Sequence, residues 1–482
     1  MTMLQRILRD IAIVSGGQAV TWIASFVFVL AQARFLAPAT FGELSLALSY
    51  AAFFAIVVDF GVSTFVTRSI AQSPADERRV LWAAITTRAA LWLAVMPIAW
   101  ALTLVLGYEE ELQSTILVLT DSLLFAGIAG ALTAYYQGRE RFALPALANV
   151  VQRVAAATVG ILVLAAGLGV VALAAVYAVS AALAGAILFV GLRGSGLARP
   201  LVEPRAVGAM VRSVMPIGLY WIVGTFYFNV DMALVERLTP RESLGHYAAA
   251  YRLFSAASIA PAIVCGTVLY PMYARLSTMS SAALRPAVEK TIAYLALAGT
   301  LVAVLCALLP RAIVGVLYPM PAYAPAADAL RLLAPGLLFL YVNSVLGSVL
   351  FALRLERRLL RIAIAAAVLN TVANVVAIPL FGIQAAAAIT SLTELFLFGG
   401  LLISAPADLL GATSGQLLAR ALAVGSITAV ALLPFAGAPI GVSAAVGALV
   451  FATGCLLLGA LPIDDLRLAA ALIRGRVGVS RP

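Results

Sequence analysis

The most constraining feature of this chain is a recurring one: charge-free apolar runs about as long as a bilayer is thick. Ile11–Ala33, Ala89–Tyr108, Leu253–Ala274, Thr291–Pro310 and Leu332–Leu353 each hold one crossing. Val154–Leu192, Ile362–Thr393 and Ala421–Ile463 are about twice that length. Turn formers split each of them: Gly167-Leu168-Gly169, then Pro379 through Gly382, then Pro434, Gly437, Pro439 and Gly441. A hydrocarbon core of ~30 Å takes ~20 helical residues, and a spanning segment must satisfy its own backbone. The runs therefore predict an all-α polytopic membrane protein. Adding the runs with a single charge gives about fourteen spans. They fall at 11–36, 43–67, 80–106, 114–137, 144–166, 169–192, 208–236, 243–270, 289–309, 328–353, 359–379, 383–405, 416–435 and 440–462. Only 11% of the 482 residues are charged, against ~25% in an average soluble domain. What remains between the spans cannot build a separate catalytic domain.

Thirty arginines and one lysine, Lys290, stand against 21 acids, for a net charge of +10. In a soluble chain that balance would suggest nucleic acid. Here it predicts basic loops that set topology and meet anionic lipid, with no nucleic-acid partner. With the N-terminus inside, 23 basic residues fall on the cytoplasmic side. Arg34, Arg237, Arg241, Arg311 and Arg331 fall outside, and Arg88, Arg153 and Arg252 lie at depth. An even number of spans with both termini cytoplasmic follows. The first apolar run is too long for a cleaved signal peptide. Ile463–Arg474 predicts an amphipathic helix lying on the membrane surface.

Cys265, Cys306 and Cys455 have neither metal-ligand nor redox spacing. No phosphate-binding loop accompanies Lys290, and the one acidic outer loop, Tyr108–Leu112, is too short to carry catalytic residues. The chain is expected to be no enzyme and to need no metal or cofactor.

Three internal echoes appear in order. Arg34-Phe-Leu-Ala-Pro38-Ala-Thr-Phe-Gly42 corresponds to Arg237-Leu-Thr-Pro240-Arg-Glu-Ser-Leu-Gly245, 203 residues later. Arg139-Glu140-Arg141 corresponds to Leu355-Glu356-Arg357-Arg358, and Leu168-Gly169 to Phe381-Gly382 at an offset of 213. Two halves of six spans starting on the same side make a parallel repeat. The predicted organisation is an N-lobe at 1–200, a C-lobe at 201–406, and two further helices with a cytoplasmic tail at 407–482.

These residues, together with Asp59-Phe60-Gly61 ahead of Arg68, Gly245-His-Tyr247-Ala-Ala-Ala-Tyr251-Arg252, and Leu461-Pro-Ile-Asp464-Asp465-Leu-Arg467, carry a resemblance. The chain resembles the polysaccharide-biosynthesis (O-antigen) flippases of the multidrug/oligosaccharidyl-lipid/polysaccharide exporter superfamily. The resemblance implies two six-helix lobes around a central cavity and a monomer that moves a polyprenyl-diphosphate oligosaccharide between leaflets. Bilayer lipid and the polysaccharide polymerase machinery are its implied partners, and the bacterial cytoplasmic membrane is its implied location. A multidrug or cation antiporter of the same fold is the alternative, and a lipid II flippase a further one.

Charges at bilayer depth are costly and usually turn inward. Asp59 and Arg88 lie about fifteen residues either side of Ser73-Pro74, which puts them at matching height. Asp231 and Arg252 flank Thr239-Pro240 in a similar way. Each pair could hold two helices together. Alternatively the arginines, with Arg34 and Arg153, bind a diphosphate, since the guanidinium fork matches phosphate oxygens. Asp121 and Glu394 have no basic neighbour within their spans and are candidates to carry a coupled proton. Gln18, Asn149, Asn370 and Asn374 are candidates for a polar cavity face that meets sugar hydroxyls. Amides at such depth also join helices.

Overall fold

The computed structural model of the chain describes residues 3–72, 76–139, 141–193, 196–201, 203–277, 281–409, 411–435 and 437–460. It is 89% helical, with no strand among the described residues. The expected surface helix at Ile463–Arg474 and the Leu461–Arg467 motif lie outside them.

Seventeen α-helices follow one another among the described residues. They begin with α1 (Met3–Phe35), α2 (Pro38–Asp59), α3 (Val62–Gln72), α4 (Glu77–Val105), α5 (Glu110–Gly138) and α6 (Ala143–Ala165). Next come α7 (Gly169–Val190), α8 (Pro204–Leu238), α9 (Arg241–Ile263), α10 (Tyr270–Ser277), α11 (Ser281–Leu308) and α12 (Pro310–Leu317). The last are α13 (Ala324–Ala352), α14 (Glu356–Phe381), α15 (Ile383–Ser404), α16 (Ala412–Leu432) and α17 (Ile440–Leu457). Among the described residues, thirteen spans are long and apolar enough to cross a membrane, and each overlaps one predicted from sequence. The span expected at 208–236 falls within α8, a 35-residue helix that is not among the thirteen.

The helix boundaries explain the internal repeat. α2 and α9 begin 203 residues apart, and α4 and α11 begin 204 apart. From α5 onward the offset becomes 214 for α5 and α13, 213 for α6 and α14, and 214 for α7 and α15. α5 and α13 are both 29 residues long, and α7 and α15 both 22. The roughly ten-residue step is the short helix α12, which occupies the α11–α13 connection and has no counterpart between α4 and α5.

The chain divides into two compact units, Met1–Glu236 with Pro240–Gly245, and Arg237–Thr239 with His246–Pro482. The boundary expected at 200 differs from this division by one helix, α8, which groups with the helices before it. α16 and α17 group with the second unit, not apart from it. Within the first unit α5 is the central helix and packs on α2, α3, α4 and α7. Within the second unit α13 plays that part, against α11 and α15. Buried residues make up 56% and 61% of the apolar windows of these two spans, and no other span exceeds 44%. Small residues allow the close approach. A Cβ on Gly138 would come within 2.9 Å of Ile70 and of the Thr67 carbonyl. In the first unit, Gly42 lies against the backbone of Gly245, the glycines that close the two nine-residue echoes.

The second span is broken. Phe60 (φ 42°) and Gly61 (φ 81°) adopt left-handed conformations between α2 and α3. Asp59 closes the break: its carboxylate accepts the Gly61 N–H at 3.2 Å and the Ser63 hydroxyl at 2.7 Å. A broken membrane helix must have its freed groups satisfied again, and the Asp59-Phe60-Gly61 motif does this locally.

Candidate functional site

The same carboxylate organises the first cluster. Arg88 on α4 is 3% exposed, and its Nη2 pairs with Asp59 Oδ1. Nη2 also donates to Ser63 Oγ at 2.6 Å, and Nη1 to the Gly127 carbonyl at 2.6 Å. Gly127 and Gly130, one turn apart on α5, leave the slot for the guanidinium, and a Cβ on Gly130 would run into Nη1. Both terminal nitrogens are thus committed within the protein. The pair neutralises what would otherwise be a bare cation at bilayer depth. Arg88 therefore presents no open fork to a phosphate.

Beyond Gly130 and Ser63 lies a cavity of about 480 Å³ inside the first unit. Its polar lining is Gln18 from α1, Ser63 from α3, Thr133 and Gln137 from α5, and Asn149 and Gln152 from α6. Gly130, Thr133 and Gln137 share one face of α5, and Pro145, Asn149 and Gln152 share one face of α6, by the three-and-four spacing of a helix. Among the described residues, none that lines it is ionisable, and Phe142 is the one aromatic ring. The amides of Gln18, Gln137, Asn149 and Gln152 make no hydrogen bond to the protein among the described residues. Each offers two donors and an acceptor to whatever enters.

The remaining candidates separate from this cavity. Asn374 donates to Asn370 Oδ1 at 3.0 Å, and Asn370 donates to Thr393 on α15 at 3.3 Å. Both are 0–1% exposed and join α14 to α15, not a cavity face. Glu394, 3% exposed, accepts from Asn343 Nδ2 at 2.9 Å. Asp121 is exposed on α5. Asp231 is buried on α8, and Arg252 is half-buried on α9. Arg252 acts on Tyr318 and Tyr323 of its own unit: burial pushes both hydroxyls up, and the cation opposes the shift.

Arg34 and Arg153 are exposed, on α1 and α6. They do not form one phosphate site. α1 and α6 run side by side in the same direction, Gly17 against Val150 and Phe28 against Gly160. That register leaves Arg34 roughly 20 Å further along the helices than Arg153. Gln137 and Gln152 were missed from sequence, although their spacing from Thr133 and Asn149 would have found them. Among the described residues, no group of three or more His, Cys, Asp or Glu could hold a metal ion.

Paired helical units, α5 and α13 at their centres, and an uncharged polar cavity define a polytopic membrane protein of the transporter and flippase type. A family described as "Polysaccharide biosynthesis protein" matches residues 7–277, more than half of the chain, and the chain belongs to that family. Its fold is that of the multidrug/oligosaccharidyl-lipid/polysaccharide exporter superfamily. The lipid II flippase MurJ in an inward closed conformation superposes with a TM-score of 0.74 at 13% identity, over 93% of this chain and 99% of that one. An inward-facing multidrug resistance transporter of the MATE family superposes at 0.65 with 14% identity, over 84% and 96%. An uncharacterized membrane protein of Methanocaldococcus jannaschii is 34% identical over 126 residues. That match spans a quarter of the length of the relative and 26% of this chain.

Proposed function

We propose that this chain translocates a polyprenyl-diphosphate-linked oligosaccharide from the cytoplasmic to the outer leaflet, by alternating access, for cell-surface polysaccharide assembly. The observation that carries this reading is the cavity of uncommitted amides in a member of a polysaccharide-biosynthesis family. Sugar hydroxyls need donors and acceptors in equal measure, and primary amides supply both. Arg153, exposed on α6 and next to Gln152 in sequence, is the cation proposed to meet the diphosphate. The lipid tail stays in the bilayer. The excess of arginine in alternate loops supports an orientation in which the cavity, lined by the N-terminal half of α1 and the start of α6, opens toward the cytoplasm. Glu394 is the carboxyl proposed to carry a coupled proton.

Complementation tests the proposal. In a strain lacking the gene, the chain should restore surface glycan. The double variant Gln137→Leu with Gln152→Leu should not restore it, at normal protein level by immunoblot. Full restoration by that variant would refute the reading. The likeness to MurJ favours a second reading, lipid II flipping, and rescue of a MurJ-depleted strain would establish it instead.

A further inference from the structure

We infer that the cavity in the first unit selects an uncharged sugar and rejects an acidic one. The inference rests on the glycan-transport reading and names the class of sugar that the site takes. Its first support is the lining: among the described residues, six polar side chains and none that is ionisable. A uronate or sialate carboxylate entering this cavity would exchange its hydration for neutral amides alone. An ionised carboxylate stripped of water needs a cation or several strong donors to compensate.

The second support is the state of Arg88, which lies behind the wall. Arg88 approaches the cavity through Gly130, but Asp59 neutralises it, and its terminal nitrogens are committed to Asp59, Ser63 and Gly127. The side of the cluster that reaches the cavity is Ser63, whose hydroxyl is donated to Asp59. Asp59 is not among the lining residues, and paired with Arg88 it leaves no net positive charge behind Ser63 for an incoming carboxylate. Arg153 is not among the lining residues.

The third support is how the amides are distributed. Gln18, Gln137, Asn149 and Gln152 come from three helices around one space, and none is spent on another of the described residues. Amides that only glue helices are spent, as Asn370 and Asn374 are. With Phe142 in the lining to cover an apolar sugar face, the lining matches a neutral hexose or N-acetylhexosamine.

The test uses the full-length protein in nanodiscs and two probes that differ only at C6: farnesyl-diphosphoryl glucose and farnesyl-diphosphoryl glucuronate. Binding is read by calorimetry, with farnesyl diphosphate alone as a third titrant. The glucose probe should bind at least ten times more tightly than the glucuronate probe. Asn149→Leu and Gln152→Leu should each weaken the glucose probe about fivefold, the effect of one hydrogen bond, without moving the thermal midpoint. Gln152→Arg should narrow or invert the preference. Equal binding of the two sugar probes, or variants without effect, would overturn the neutral-sugar inference and leave the transport reading standing. Sugar probes no tighter than farnesyl diphosphate, or no binding at all, would overturn both.

Discussion

The Asp59–Arg88 pair allows a prediction that separates scaffold from transport. In Arg88→Ala, Asp59 loses its counter-ion and the Gly127 carbonyl loses its second donor, while Gly61 and Ser63 still hold the carboxylate. Breaking a buried pair costs ~3–5 kcal/mol, but Asp59 is 36% exposed and solvent screens part of that. We expect about 2 kcal/mol for this variant. Asp59→Ala is worse, because it strands a cation that is 3% exposed, and we expect about 3 kcal/mol, as insertion scales give for a bare charge at depth. The double variant removes both charges and keeps only the loss of the second bond to the Gly127 carbonyl and the lost packing, about 2 kcal/mol. The coupling is then about 3 kcal/mol in magnitude, at the top of the range for residues in contact. Denaturation of the purified protein in mixed micelles, followed by tryptophan fluorescence, measures all three. A double variant that is no better than the sum of the singles would refute compensation. Glycan export adds a second readout: the double variant should export near the normal level per molecule of protein. A stable but inactive double variant would return Arg88 to the transport site.

Other outcomes follow from the same geometry. Gly130→Ala should destabilise by about 1–3 kcal/mol through overpacking, and Arg88→Ala in the same chain should relieve part of that cost, measured by the same denaturation. In a background without the three cysteines, Arg357→Cys should label from the cytoplasm and Glu110→Cys from outside; reversal would refute the charge-derived orientation. Burial pushes the hydroxyls of Tyr108 and Tyr318 up, with Tyr50 and Glu236 reinforcing the shift at Tyr108. Their contribution to stability is full below pH ~10, the unfolded value, and is lost as pH rises through the higher folded values. Alkaline absorbance titration should therefore show late-ionising tyrosines, fewer by one in Tyr108→Phe. Glu394→Gln keeps the hydrogen bond to Asn343 but cannot release a proton; it should abolish dependence of transport on an imposed pH gradient in proteoliposomes.

The fold was legible because the bilayer imposes a length on every span, and turn-forming residues punctuate the longest runs. The repeat was legible too, though the change of offset from 203 to 213 had no cause until α12 appeared between α11 and α13. The height of Asp59 and Arg88 could be counted from a shared loop, since helical rise is fixed. The phosphate site was not legible in the same way. Arginine at depth signals only that a charge has a partner; it does not say whether that partner is a carboxylate or a ligand. Arg88 proved committed, and Arg34 and Arg153 proved to stand at different levels.

The amides teach the sharper lesson. Asn370 and Asn374 lie four apart on one helix, and Asn149 and Gln152 three apart on another, so spacing alone gives both pairs a common face. What distinguishes them is accounting of donors and acceptors, which depends on the neighbouring helix. α15 presents Thr393 to the first pair, and the pair closes on itself. α1 and α5 present Gln18, Thr133 and Gln137 to the second, across a space wide enough to keep them apart. Unspent amides in a membrane bundle cost desolvation without return unless a ligand or water fills the gap. Each amide contact nets only about 0.5–1.5 kcal/mol, so four of them can discriminate among sugars and still release one.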